Sequence, residues 1–231
     1  MTTSLLNNQQ LEKSSIVANT EMNRERNITG SNSYEKELKL NPINYLIEKL
    51  AKKSTVAWLD ICCGSAKALI QSAEILAEKD LDSRVKITGI DLVDFFHPLK
   101  NPLMCLELLT KSINDYRPTQ DFDLVTSVHG IHYIGDKLSI IAGAISWLTL
   151  DGLFLANIDP HNFCNENKTS LGRSIVAELK NQGINYNNKK HLIMCQGKKL
   201  INFPYQYIGA SDLAGANYTG QAAINSYYRK I

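Results

Sequence analysis

No stretch of this chain comes near the roughly 20 consecutive apolar residues that a membrane-spanning helix needs, so no membrane association is expected. No Cys-x-x-Cys pair occurs, which removes the commonest zinc-ribbon spacing, and no metal site is expected. An excess of charge of one sign is also lacking. Lys and Arg total 25 against 23 Asp and Glu, a formal net charge of +2, so nucleic acid is not the expected partner. Internal repeats and Pro/Gly linkers are absent. The five cysteines, Cys62, Cys63, Cys105, Cys164 and Cys195, are odd in number. Met1 is followed by polar residues, with only Leu5 and Leu6 as an apolar pair, which does not read as an export leader. Free thiols in a reducing cytoplasm are therefore expected. What is present is ordinary for a globular protein. The 231 residues are 44% hydrophobic and 21% charged, enough to bury one sizeable core.

Composition changes along the chain. Residues 1–30 are rich in Asn, Gln, Ser, Thr and Glu and read as a mobile arm; residues 31–231 read as a single domain. Within it, 31–55 read as a helical cap, where Pro42 suits a first turn and Ile43, Ile47 and Leu50 recur at helical spacing. Residues 56–160 alternate between strand and helix. Strands are expected at Val56–Ile61, Val85–Ile90, Cys105–Ile113, Phe122–Gly130 and Leu153–Ile158. Helices are expected at Ala66–Glu78 (burying Ala68, Leu69, Ala73, Leu76 and Ala77) and Leu138–Leu150, with a turn at Asp151-Gly152. Residues 161–231 add a helix over 168–182, a hairpin whose arms flank Gln196-Gly197, and a tyrosine-rich tail with no period. Strands alternating with helices predict a parallel sheet covered on both faces, with ligands at the carboxyl ends of its strands.

The segment DICCGSAKAL after the first strand is the most informative. A tight strand-to-helix turn lets backbone N–H groups approach a ligand only where small residues fill the crowded positions. A dinucleotide site wants glycine at the first, third and sixth places; these are Cys62, Gly64 and Lys67, and the lysine would obstruct close helix–strand packing. An S-adenosylmethionine site wants small residues at the first, third and fifth places after an acid; these are Cys62, Gly64 and Ala66, preceded by Asp60. Asp91, directly after the second strand, suits the two hydroxyls of an adenosine ribose, which both cofactor classes carry. Capping of turns is the plain structural alternative for both acids.

On these segments the chain resembles the class I S-adenosylmethionine-dependent methyltransferases. VAWLDICCGSAKAL is similar to the family's glycine-rich motif and ITGIDL to its second motif. FDLVTSVHGIHYIGD resembles its fourth strand, and ISWLTLDGLFLANID the fifth. The resemblance implies a Rossmann-like α/β fold, with a seven-stranded, mostly parallel sheet, helices on both faces and a terminal antiparallel hairpin strand. It implies S-adenosyl-L-methionine as cofactor, with S-adenosyl-L-homocysteine as product. Carried over, the cofactor's methionine end falls on Asp60, Cys62 and Gly64, and its ribose on Asp91 and Leu92. Its adenine falls on Ser112 and Ile113, and its sulfonium beside Val128 and His129, with Tyr34 and Arg26 available to cover it. Cys62 and Ala66 depart from the family's glycines. Ser112 stands where an acid often meets the adenine amine, a role Asp115 would take in a shifted register.

Methyl transfer from a sulfonium is an in-line displacement in which the protein positions the acceptor and removes a proton. His129 and His132, just beyond the fourth strand, are the candidate bases, with Tyr133 beside them and His161 a third. The plain alternative for each histidine is packing or capping. The Asn-Pro-Pro-Tyr type motif of methyltransferases acting on planar base or amide nitrogens is replaced by SVHG. The implied acceptor is thus an oxygen or nitrogen of a small molecule or peptide, as in a natural-product tailoring step. Tyr218, Tyr227 and Tyr228 are expected either to close over the site as a lid or to pack a sheet edge. Cys62 and Cys63 at a helix start suit a redox role or, more plainly, a tight turn. Two rivals stay open: a Rossmann-type NAD(P)-binding oxidoreductase, and a non-catalytic cofactor-binding protein of the same fold.

Overall fold

The computed structural model describes residues 5–18 and 25–231. Its organising element is β1 (Val56–Ile61), six buried residues in a row. Successive side chains of a strand point to opposite faces. Ala57, Leu59 and Ile61 accordingly enter one apolar cluster, and Val56 and Trp58 the other. A strand buried on both faces needs helices on both, and they are there. The α2 (Tyr34–Leu38), α3 (Pro42–Leu50) and α4 (Lys67–Glu78) helices cover one face; α5 (Lys137–Ser146) and α6 (Gly172–Asn181) cover the other.

Around β1 lie β2 (Val85–Asp91), β3 (Leu106–Thr110), β4 (Phe122–Ser127), β5 (Leu148–Asn157), β7 (Asn185–Asn187) and β8 (Leu192–Gln196). The order is β3-β2-β1-β4-β5-β8-β7. The first five run parallel, and β8 is antiparallel to both β5 and β7. A second sheet joins β6 (Phe163–Asn165), β10 (Asn225–Lys230) and β9 (Tyr205–Ser211), in that order. No helix among the described residues is long and apolar enough to cross a membrane.

Several boundaries differ from the sequence expectation. The helix expected over Leu138–Leu150 stops at Ser146, and Leu148–Leu150 open β5, which runs on through Asp151-Gly152. No turn forms there. Lys49 donates to the Asp151 carbonyl and carboxylate, each at 2.6 Å, while a β-bulge against β4 absorbs the irregularity beside Gly152. The expected hairpin about Gln196-Gly197 is absent too. β8 turns back against β7, a polar three-residue strand without apolar alternation, and Tyr205–Ser211 joins the second sheet instead. β3 ends at Thr110, because Ser112 caps a 3-10 turn at Ile113–Asp115. β4 ends at Ser127, because His129 takes φ +60° before a 3-10 turn at Gly130–Tyr133. Leu46, rather than Ile47, is fully buried in α3, and Ile70 and Ser72, rather than Ala77, in α4.

The arm expected over residues 1–30 falls partly on residues 1–4 and 19–24, outside the described residues. Its described part includes the short helix α1 (Asn8–Glu12), which buries Leu11. Leu6 pairs with Ala210 of β9 through two backbone hydrogen bonds, 2.8 and 2.9 Å.

Candidate active site

The turn after β1 is built from residues forced into left-handed backbone. Cys62, Gly64 and Ala66 have φ of 57°, 61° and 58°. Only Gly64 adopts this region without steric cost. Anchors hold the other two: Cys63 N–H donates to the Ile90 carbonyl at 3.0 Å, and Gly64 N–H to Asp91 Oδ2 at 2.8 Å. Asp91 therefore shapes the turn as well as facing the space above it. The turn after β4 presses against the first. A methyl group placed on Gly130 would clash with Cys62 Cβ and lie 2.7 Å from Ser127 Oγ and 2.9 Å from the Ile61 carbonyl. Small size at Cys62 and Gly130 is thus a packing requirement. Cys63 is buried, and burial raises its thiol pKa well above the ordinary value, leaving it an unreactive thiol.

A cavity opens over these turns at the carboxyl ends of the parallel strands. Tyr34, Cys62, Gly64, Asp91 and Leu92 line it. Ser112 and Ile113 do so past the end of β3, and Val128, His129 and Tyr133 past the end of β4. Four of the sequence-derived candidates stand off its wall. Asp60 is fully buried behind it, accepting hydrogen bonds from Tyr34 Oη at 2.7 Å and from Thr126 Oγ1. Burial pushes the Asp60 carboxyl up to about 7, against the lowering effect of those two hydrogen bonds. Its link to the cavity is the Tyr34 ring. His132 is 1% exposed, and neither ring nitrogen has a hydrogen-bond partner among the described residues; burial favours the neutral ring by driving its pKa well down. His161 is a surface residue with its side chain 84% exposed, and Asp115 is exposed and off the cavity wall.

His129 is different. Its Nε2 lies 3.3 Å from Glu37 Oε2, and its Nδ1 lies 3.3 Å from Tyr218 Oη. The hydrogen bond to His129 holds the Glu37 carboxyl below its usual value. An anionic Glu37 assigns the Nε2 proton to the side it faces, and the lone pair of a neutral ring then sits on Nδ1. Tyr218 is held in turn, stacked on His191 with ring centroids 3.7 Å apart and bonded through its N–H to Asp159. Tyr227 and Tyr228 lie instead in β10; Tyr228 packs on Phe163 and donates to Asp136.

Sequence reasoning missed Glu37, Tyr218 as the partner of His129, and Glu12 with Asn114. All come from segments distant in sequence, so no local spacing announces them.

The sheet decides the architecture. Five parallel strands ordered 3-2-1-4-5, then an antiparallel strand inserted beside the fifth, are the arrangement observed. The fold is a Rossmann-like α/β sheet of the kind the sequence resemblance implied. No family model matches the chain, and no curated protein does. Among solved structures, it is similar to the N-methyltransferase NodS from Bradyrhizobium japonicum WM9, at 13% identity and TM-score 0.44, covering 83% of this chain and 98% of that one. It is also similar to the plantazolicin methyltransferase BpumL, at 15% identity and TM-score 0.41, covering 64% of this chain and 51% of that one. A third is the StiE O-MT, residues 961-1257, at 17% identity and TM-score 0.37, covering 53% and 43%. The chain thus spans about half the length of the BpumL chain it matches.

Proposed function

We propose that this protein transfers a methyl group from S-adenosyl-L-methionine to an oxygen or nitrogen of a small molecule or peptide, with His129 as the base. The observation that carries the reading is His129 itself, on the cavity wall over the Gly64–Asp91 turn, with one ring nitrogen held by Glu37. The residues fit the cofactor. Arg26 lines the cavity, and its buried Nε has no partner among the described residues, which suits a carboxylate such as the cofactor's methionine end. Asp91, Leu92 and Ile113 line the same cavity, and their chemistry suits ribose hydroxyls and the flat faces of a base. NodS, an N-methyltransferase, and BpumL, a plantazolicin methyltransferase, were crystallised with S-adenosylhomocysteine, BpumL together with a monoazolic desmethylPZN analogue.

When bound, the cofactor supplies a methyl group already activated on a sulfonium, so the protein's own contribution is position and proton removal. The acceptor proton passes to His129 Nδ1, where the Tyr218 hydroxyl sits in this structure. Glu37 holds the opposite N–H and stabilises the positive ring that results. Val128 and Tyr133 close the wall beside it. His132, buried and neutral, packs against His129 and takes no part in proton transfer.

Calorimetry with S-adenosylhomocysteine and with NADH tests the cofactor. Heat only with the nucleoside thioether is expected; binding of the dinucleotide alone would sink the reading. Incubation with a methyl-labelled cofactor and a panel of phenols, amines and azole peptides then tests transfer.

A further inference from the structure

Glu12 belongs to the short N-terminal helix yet stands on the turn that follows β3. Its Oε1 accepts from Ser112 Oγ at 2.6 Å and from Asn114 Nδ2 at 2.9 Å. The helix is seated there by Leu11, 1% exposed, and tied down beyond it by the Leu6–Ala210 pair. Asn8, Leu11, Glu12 and Val17 all line the same cavity as Gly64 and Asp91. Two donors thus hold one oxygen of a carboxylate on the cavity wall. Among the described residues, the other oxygen has no hydrogen-bond partner.

We propose that Glu12 selects the purine of the bound nucleoside by accepting a hydrogen bond from an exocyclic amine, so that the N-terminal segment completes the nucleoside end of the site. The inference rests on the nucleoside-cofactor reading above. Its geometry follows from the sheet. Asp91 and Thr110 are register partners on adjacent strands, ~4.8 Å apart, and Ser112 lies two residues past Thr110. Glu12 therefore stands beyond Asp91 on the side away from β1, where the base of a ribose-bound nucleoside would extend. The wall between is apolar, from Ile90, Leu92, Ile113 and Leu11, and suits the flat faces of a purine. A carboxylate accepts but cannot donate. It favours a base carrying an amino group and opposes one presenting a carbonyl at that edge. That distinguishes adenine from hypoxanthine.

The test is calorimetric titration of the full chain with S-adenosylhomocysteine and with S-inosylhomocysteine, which differ only at that edge. The wild type is expected to bind the adenosyl compound at least about tenfold more tightly, as for a hydrogen bond to a charged group. In Glu12→Ala that ratio is expected to fall towards one, with the far-ultraviolet dichroism of the folded protein retained. Equal wild-type affinity for the two thioethers would overturn the role of Glu12 while leaving the cofactor reading intact. Failure of both to bind would overturn the two together. Because the wild-type comparison needs no substitution, a poorly folding variant does not rescue the idea.

Discussion

At the scale of single residues, the site turns on two acids placed very differently. Glu37 is half-buried and paired with His129, whereas Asp60 is sealed behind Tyr34 and Thr126. For the pair, His129→Gln is expected to lower kcat for methyl transfer by about 10²–10⁴, with a much smaller change in S-adenosylhomocysteine affinity. Glu37→Gln is expected to cost about tenfold, and the double variant no more than His129→Gln alone, because Glu37 acts through the ring. Steady-state rates of the four proteins decide it; additive losses would contradict a shared role. Asp60 gives a prediction about stability. Its folded-state pKa, about 7, lies above the ordinary carboxyl value, so the folded protein holds a proton that the unfolded chain has released between about pH 4 and 7. This contribution is full below that window and is lost as pH rises through it. Urea unfolding of the wild type minus that of Asp60→Asn is expected to decline by roughly 2–4 kcal/mol from pH 4.5 to 8. A flat difference would show that Asp60 titrates normally. Working with the difference matters, since neutral His132 acts in the opposite sense at the acid end of the range.

At the scale of elements, patterns that depend on near neighbours were legible. The apolar run Val56–Ile61 is β1 as read, because a strand buried on both faces declares itself by composition alone. The start of α4 one residue beyond Ala66 and the placement of Asp91 at the end of β2 follow from the same logic. What failed was junctions decided by distant partners. Asp151-Gly152 has the chemistry of a turn, yet Lys49 and Lys53 pin its carboxylate and the strand continues. β7 has no apolar alternation and exists only because β8 offers an edge. For the cavity, lining residues after β1, β2, β3 and β4 could be named in advance. Glu12 and Glu37 could not, since they approach from outside the sheet, and Tyr218 could be named only as one of three tail tyrosines open to a lid or an edge role. The contact between the turns after β1 and β4 makes an element-level prediction. Gly130→Ala is expected to destabilise by about 1–3 kcal/mol through overpacking against Cys62 and the Ile61 carbonyl, seen as a lower thermal midpoint. Cys62→Gly in that background is expected to restore part of the loss; no restoration would place the clash elsewhere.

Over the whole molecule, the two sheets divide the labour. The larger carries the cavity on its carboxyl edge, and the smaller braces the loops that bear the histidines. Lys137 is the main brace. Its buried Nζ donates to the Ile134 and Ile224 carbonyls at 2.9 Å each and to Ser226 Oγ at 2.6 Å, joining the turn after β4 to β10. Burial without a bonded carboxylate lowers it to about 7. Lys137→Met is expected to loosen this junction by leaving those acceptors unsatisfied, at a cost of about 2–4 kcal/mol in chemical denaturation. A stabilised variant would mean that desolvating the amine outweighs the three bonds it makes.

The Leu6–Ala210 pair gives the assembly a clock. Two amides bonded to each other's carbonyls meet solvent deuterium when the N-terminal segment lifts off β9, so both are expected to report the same opening free energy. Under conditions where exchange outruns reclosing, their common exchange rate is the frequency with which the segment carrying Glu12 lifts away. A nucleoside held by Glu12, as proposed, would slow it.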